Sequence, residues 1–125
     1  MTILIGAQAS ASYAVTDDDT AIVVGSGAVP VRATPRLLAW SEAVTVTALA
    51  PGLAEGETSV GYRIELDHLL PTPVGGTVRI RAEVIEVDGR RVALAVTAED
   101  DAGTAATATI VRVVVERQRF VDRLR

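Results

Sequence analysis

The chain has 125 residues, a net charge of −4 and no cysteine, which leaves room for one domain over 1–125 and excludes disulfides and cysteine-held zinc, haem or iron–sulfur centres. A single histidine rules out a multi-histidine metal site, so no metal is expected, although carboxylates could still hold a hard cation. An acidic chain whose only aromatics are Tyr13, Trp40, Tyr62 and Phe120 is a poor nucleic-acid binder.

Hydrophobic residues make up 49% and the mean hydropathy is +0.33, which argues for a folded core over disorder. No apolar run approaches the ~20 residues a membrane-spanning helix needs. Met1–Gly6 has no basic region ahead of its apolar residues, so no signal peptide is expected and the cytoplasm is the expected compartment.

In chain order, Ala9–Val15 reads as a first strand, followed by an acidic turn at Asp17–Asp19. Residues 36–49 (RLLAWSEAVTVTAL) are the helix candidate. Thr34 would be its N-cap and Pro35 its first helical residue, where the missing N–H costs nothing. Leu37, Trp40, Val44 and Ala48 cluster on a helical wheel, with Leu38 and Leu49 widening the stripe. The β-branched run Val44–Thr47 makes such a helix dependent on tertiary packing. Thr58–His68 follows, with Val60, Tyr62, Ile64 and Leu66 at period two. Thr77–Val87 turns Val78, Ile80, Ala82 and Val84 one way and Arg79, Arg81 and Glu83 the other. Asp88-Gly89 signals a tight hairpin into Arg91–Glu99, where Val92, Leu94 and Val96 alternate. Ala105–Arg117 closes the chain. Its middle, Thr109–Val115, is apolar on both faces except for Arg112, which predicts a central strand buried on both sides. One helix facing four consecutive strands is an α+β layout. It leaves a sheet face and an edge to be covered, and dimerisation would cover them.

The segment Val31-Arg32-Ala33-Thr34-Pro35, then Glu42, Thr58-Ser59-Val60-Gly61, and His68 with Pro71-Thr72-Pro73-Val74-Gly75 resembles the hotdog-fold thioesterases of the fluoroacetyl-CoA thioesterase type. Val84–Arg91 (VIEVDGRR) fits the same family, and the resemblance spans roughly residues 13–120. It implies a long helix wrapped by an antiparallel sheet, and homodimers joined edge to edge with active sites at the interface; pairing of dimers into tetramers is left open. The implied reaction is hydrolysis of an acyl-CoA thioester to a free acid and coenzyme A, with no cofactor beyond that substrate. By resemblance Thr34, Glu42 and His68 match the catalytic threonine, glutamate and histidine. Gly61 matches a glycine whose N–H faces the thioester carbonyl, and Arg112 matches a late-strand arginine near the site. Two departures stand out. Gly25–Val29 lacks the aromatic lid that the fluoroacetate enzyme carries before its threonine. Ile110-Val111-Arg112 keeps only the arginine of a His-x-Arg pattern.

Each residue also has its own chemistry. Glu42 lies on the flank of the apolar stripe, where partial burial would make it a useful base or a direct nucleophile; a solvated glutamate is the plain alternative. His68 ends a strand on the face of Val60, Ile64 and Leu66 and would position a nucleophile or shuttle a proton, or simply pack against a backbone carbonyl. Thr34 is explained by capping alone, yet a helix N-terminus also favours an oxyanion. Gly61 inside a strand marks either a bulge or a close approach of a ligand to the backbone. Arg112 in an apolar strand needs an anion: Glu42, a substrate group, or a carboxylate across a dimer. Arg79, Arg81, Arg90 and Arg91 read as a solvated sheet face, with coenzyme A phosphates as the alternative. Two rival functions on the same scaffold are a non-catalytic acyl-CoA binder and an enoyl-thioester hydratase. The aspartate–histidine motif of the hydratases is missing.

Overall fold

The structure is a computed structural model that describes residues 1–124. Five strands form one antiparallel sheet: β1 (Gln8–Ala14), β2 (Glu57–His68), β3 (Thr77–Asp88), β4 (Arg91–Asp100) and β5 (Gly103–Glu116), in the spatial order β1-β3-β4-β5-β2. A short helix α1 (Ala21–Val24), the long helix α2 (Thr34–Leu49) and a terminal α3 (Arg117–Asp122) complete the chain. This is the expected α+β hotdog layout, with α2 lying on one sheet face, chiefly against β1 and β3.

The core follows the alternation of the sequence. Val78, Ile80, Ala82 and Val84 of β3 and Val92, Leu94 and Val96 of β4 face Leu37, Val44, Ala48 and Leu49 of α2, all buried. Each fully buried Val, Leu or Ile contributes roughly 1.5–3 kcal/mol relative to exposure. Trp40 is half-buried and stacks on Tyr13 of β1 with ring centroids 4.7 Å apart. Ser41 and Thr45 are buried in the same helix face, and each satisfies its hydroxyl by donating to a backbone carbonyl of its own helix, Leu37 O and Glu42 O. The β3–β4 turn is a two-residue hairpin whose central pair is Gly89-Arg90. Its φ of +60° at Gly89 with negative φ at Arg90 fits a type II′ turn.

Three expectations need correction. Helix α2 starts at Thr34 with Ala33 as its N-cap, and no side chain caps it. The threonine hydroxyl is used elsewhere, as described below. The second correction concerns β5. It is an interior strand, but only the face carrying Ile110, Arg112 and Val114 is buried; Val111, Val113 and Val115 on the other face remain half-exposed, because no layer of this chain covers the back of the sheet. Third, Val60 and Tyr62 do not share the inner face with Ile64, Leu66 and His68. A bulge between Gly61 and Arg63 inverts the side-chain phase of β2. Before it, Ser59 and Gly61 pair with the inward-facing Val114 and Arg112; after it, Ile64, Leu66 and His68 face inward. Tyr62 is turned outward, 57% exposed, with the Arg91 guanidinium 4.5 Å from its ring centre. Gly61 and His68 are an odd number of residues apart, so without the bulge they would face opposite sides of the sheet.

Candidate active site

Two side-chain clusters lie between α2 and β2. The first is at the start of α2. Thr34 Oγ1 is 2.7 Å from His68 Nδ1, and the other ring nitrogen, Nε2, is 3.2 Å from Arg32 Nη2. Arg32 sits in an extended arm that is pinned on both sides. Ala21 N–H donates to Val31 O at 2.8 Å, Arg32 N–H to Thr72 O at 2.9 Å and Ala33 N–H to Asp19 O at 2.8 Å. The guanidinium is 1% exposed, and its Nε and Nη1 have no hydrogen-bond partner among the described residues. An orphaned buried donor costs about 1–3 kcal/mol. Asp100 offers Arg32 a longer-range attraction but is itself engaged by Thr72 Oγ1 and Ala102 N–H, both at 2.8 Å. An open cleft of about 310 Å³ runs beside this cluster, walled by Arg32, Thr34 and His68 and by apolar Val29, Val31 and Leu69.

Burial holds the His68 pKa below its usual value, and the nearby Arg32 charge pushes the same way against a smaller opposing effect of the Leu70 backbone. Burial also lowers the Arg32 pKa, which Asp100 partly offsets. An arginine this far above neutrality stays charged all the same. A histidine whose folded pKa is depressed is bound by fewer protons in the folded state than in the unfolded one. Stability therefore falls as pH drops below about 6.5, the unfolded histidine value. Asp100, whose pKa is also lowered, adds a second loss at pH below 3.8. Urea midpoints measured at pH 7.5, 6 and 5 should fall in that order; a flat series across this range would show that the site does not disfavour protonation of His68.

The second cluster lies two helical turns further along α2, about 12 Å along its axis. Arg112 Nη1 donates to Glu42 Oε2 at 3.1 Å, while its Nε and Nη2 donate to Ser59 Oγ at 2.8 Å and Ser59 O at 3.0 Å. Arg112 is 6% exposed, and the Glu42 side chain is 33% exposed. Glu42 Oε1 accepts no hydrogen bond among the described residues. Gly61 lies directly beneath the carboxylate: a Cβ there would stand 2.6 Å from Glu42 Oε2. The bulge reading of Gly61 holds at the register shift between Gly61 and Arg63, and the group packed against this glycine is the side chain of Glu42. Glu42 is also the anion that the buried Arg112 required.

Thr34 and His68 are thus brought together, and so are Glu42, Gly61 and Arg112. No hydrogen bond joins the two clusters among the described residues. Arg32 was missed as a site residue. The signal for it was the one that singled out Arg112, an arginine within an apolar stretch, here Val29–Ala33. Three of the four sheet-face arginines are occupied locally: Arg81 by Gln8 and Glu83, Arg90 by Glu57, Arg91 by Tyr62. Among the described residues no three metal-binding side chains converge, and no helix is long and apolar enough to cross a membrane.

Residues 15–118 match the family described as fluoroacetyl-CoA-specific thioesterase. The fluoroacetyl-CoA thioesterase of Streptantibioticus cattleyicolor is 36% identical over 95 residues, which is 76% of this chain and 68% of that enzyme. A solved structure of the fluoroacetyl-CoA thioesterase FlK superposes with a TM-score of 0.91 at 28% identity, covering 98% of this chain and 96% of that one. A hot-dog-like protein from Thermanaerovibrio acidaminovorans superposes with a TM-score of 0.87 at 30% identity, covering 95% and 88%.

Proposed function

The chain belongs to the fluoroacetyl-CoA-specific thioesterase family, and from that premise we propose that it hydrolyses an acyl-CoA thioester to a free acid and coenzyme A. The observation that carries the reading is the Glu42 carboxylate, held on one oxygen by Arg112 and open on the other, at the inner face of β2. As a base, Oε1 takes a proton from water while the water oxygen bonds to the thioester carbonyl carbon. As a nucleophile, the same oxygen bonds to that carbon and forms an anhydride that water then opens. On either route the C–S bond breaks and coenzyme A leaves as a thiolate that takes up a proton.

Thr34 and His68 orient the thioester, and the positive end of the α2 dipole lies beside them. The Gly61 N–H is the proposed oxyanion donor, and no cofactor enters the scheme. The lid segment Gly25–Val29 is built of small residues, and Ser26, Gly27 and Val29 line the cleft. An acyl group larger than fluoroacetyl fits that wall better. The proposal places the enzyme in the cytoplasm as a homodimer of single hotdog domains, residues 1–125. The two copies join along β2, a 12-residue strand at the sheet edge whose outer ladder has no partner in one chain.

Thiol release from a panel of acyl-CoAs, from acetyl and fluoroacetyl through medium-chain, long-chain and aryl, tests the reading. Turnover is expected, with fluoroacetyl-CoA not the best substrate. A folded protein that binds acyl-CoA but releases no thiol across the panel would replace the hydrolase with a binder.

A further inference from the structure

His68 is the one histidine of the chain, and both ring nitrogens are engaged, Nδ1 by Thr34 Oγ1 at 2.7 Å and Nε2 by Arg32 Nη2 at 3.2 Å. A guanidinium carries N–H donors and no acceptor. Nε2 facing it must therefore offer a lone pair, and the one proton of the neutral ring resides on Nδ1. An imidazolium would set an N–H against an N–H and a cation against a cation.

We propose that Arg32 is a positioning residue that locks His68 in its Nδ1–H tautomer, so that His68 donates to Thr34 and is unable to act as its base. Thr34 Oγ1 accepts that proton's hydrogen bond and keeps its own O–H free to donate to an acceptor of the bound substrate. Thr34 is then a hydrogen-bond donor at the site and not a nucleophile, no proton changes hands at His68, and the work of the base falls to Glu42. The part played by Thr34 and Glu42 rests on the thioesterase reading above; the tautomer does not.

Of the groups that meet the ring, Arg32 alone presents donors only, and the Leu70 backbone adds a hydrogen bond that favours a ring N–H. Thr34 comes from α2 and Arg32 from the arm before it; the Leu70 backbone follows β2. Asp100 at the end of β4 acts on Arg32, and the neighbouring Asp67 lies on the opposite, exposed face of β2. The backbone bonds on both sides of Arg32 fix where its side chain starts. A purely structural residue at a site 1% exposed, with two orphaned donors, would serve better as an apolar side chain of similar length. Retaining the cation there makes sense if the group it holds is needed.

The test begins with the unaltered protein. ¹⁵N spectra of its one imidazole should show a protonated Nδ1 and a bare Nε2 at neutral pH. A proton on Nε2, or an even mixture, would overturn the proposal. Arg32→Met is expected to unfold at a higher temperature than the parent, to let the proton redistribute to Nε2, and to titrate His68 at higher pH. It should also lower kcat roughly tenfold or more on the best thioester while KM changes less than about threefold. Arg32→Lys, with a charge but no fork, should recover part of the kcat. An Arg32→Met variant with unchanged tautomer and unchanged kcat would overturn the proposal, and if that variant does not fold the spectrum of the parent still decides. Because the spectrum needs no turnover, the two readings fail separately. An inactive parent with the Nδ1–H form counts against the thioesterase, and an active parent with the Nε2–H form counts against the role of Arg32.

Discussion

Glu42→Gln is expected to lower kcat for thioester hydrolysis by roughly 10²- to 10⁴-fold while the protein stays folded. Glutamine matches glutamate in size, and its amide oxygen can still accept from Arg112 Nη1, so the carboxamide should occupy the same place beside Gly61. It offers neither a base nor a nucleophile. Stability should fall by only about 1–2 kcal/mol, because Glu42 is one-third exposed and water screens much of the lost charge, while Arg112 keeps both bonds to Ser59. Initial rates of thiol release at saturating substrate, with sedimentation of the same sample, check both halves of the expectation. A folded variant that keeps a third of the parental kcat would remove Glu42 from the chemistry.

Gly61→Ala should separate activity from stability. The backbone at Gly61 is not in the left-handed region, so alanine is conformationally acceptable there, and its better strand propensity offsets part of any strain. The new Cβ would nevertheless stand 2.6 Å from Glu42 Oε2, closer than a Cβ approaches any atom it is not bonded to. The carboxylate is the end of a flexible side chain and will swing aside, away from Arg112. We expect kcat to fall about 100-fold from this displacement, with the unfolding free energy lowered by about 1–2 kcal/mol because the bond to Arg112 is lost. Since both substitutions act through one carboxylate, Glu42→Gln combined with Gly61→Ala should lose little more than Glu42→Gln alone. Multiplying losses in that double variant would show that Gly61 acts independently of Glu42, for instance through its N–H.

Much of the framework was legible because burial imposes a period. The alternation in β3 and β4 and the stripe on α2 identify the residues that pack together without reference to any partner strand. Glu42 and Arg112 were legible by a related argument: a charge next to or within an apolar pattern needs an opposite charge, and each proved to be the other's partner. The capping logic at Thr34 was sound chemistry with the wrong result, because a threonine hydroxyl can satisfy a helix amide or a distant imidazole, and only the approach of His68 selects between them.

The linear chain thus specifies the helix, the four later strands, the inward faces of β3 and β4, and the chemically unusual residues, since each of these depends on near neighbours along the backbone. Three things were decided by contacts between segments far apart in the chain. The single extra residue at the β2 bulge, which pairing with β5 reveals, puts Gly61 and His68 on the same face. The approach of the Glu42 carboxylate makes glycine necessary at position 61. Arg32, read at first only as part of a run of residues, acquires its place from a histidine 36 residues away. Local propensity and periodicity carry no information about which donor meets which acceptor across such distances, and that pairing gives the site its chemistry.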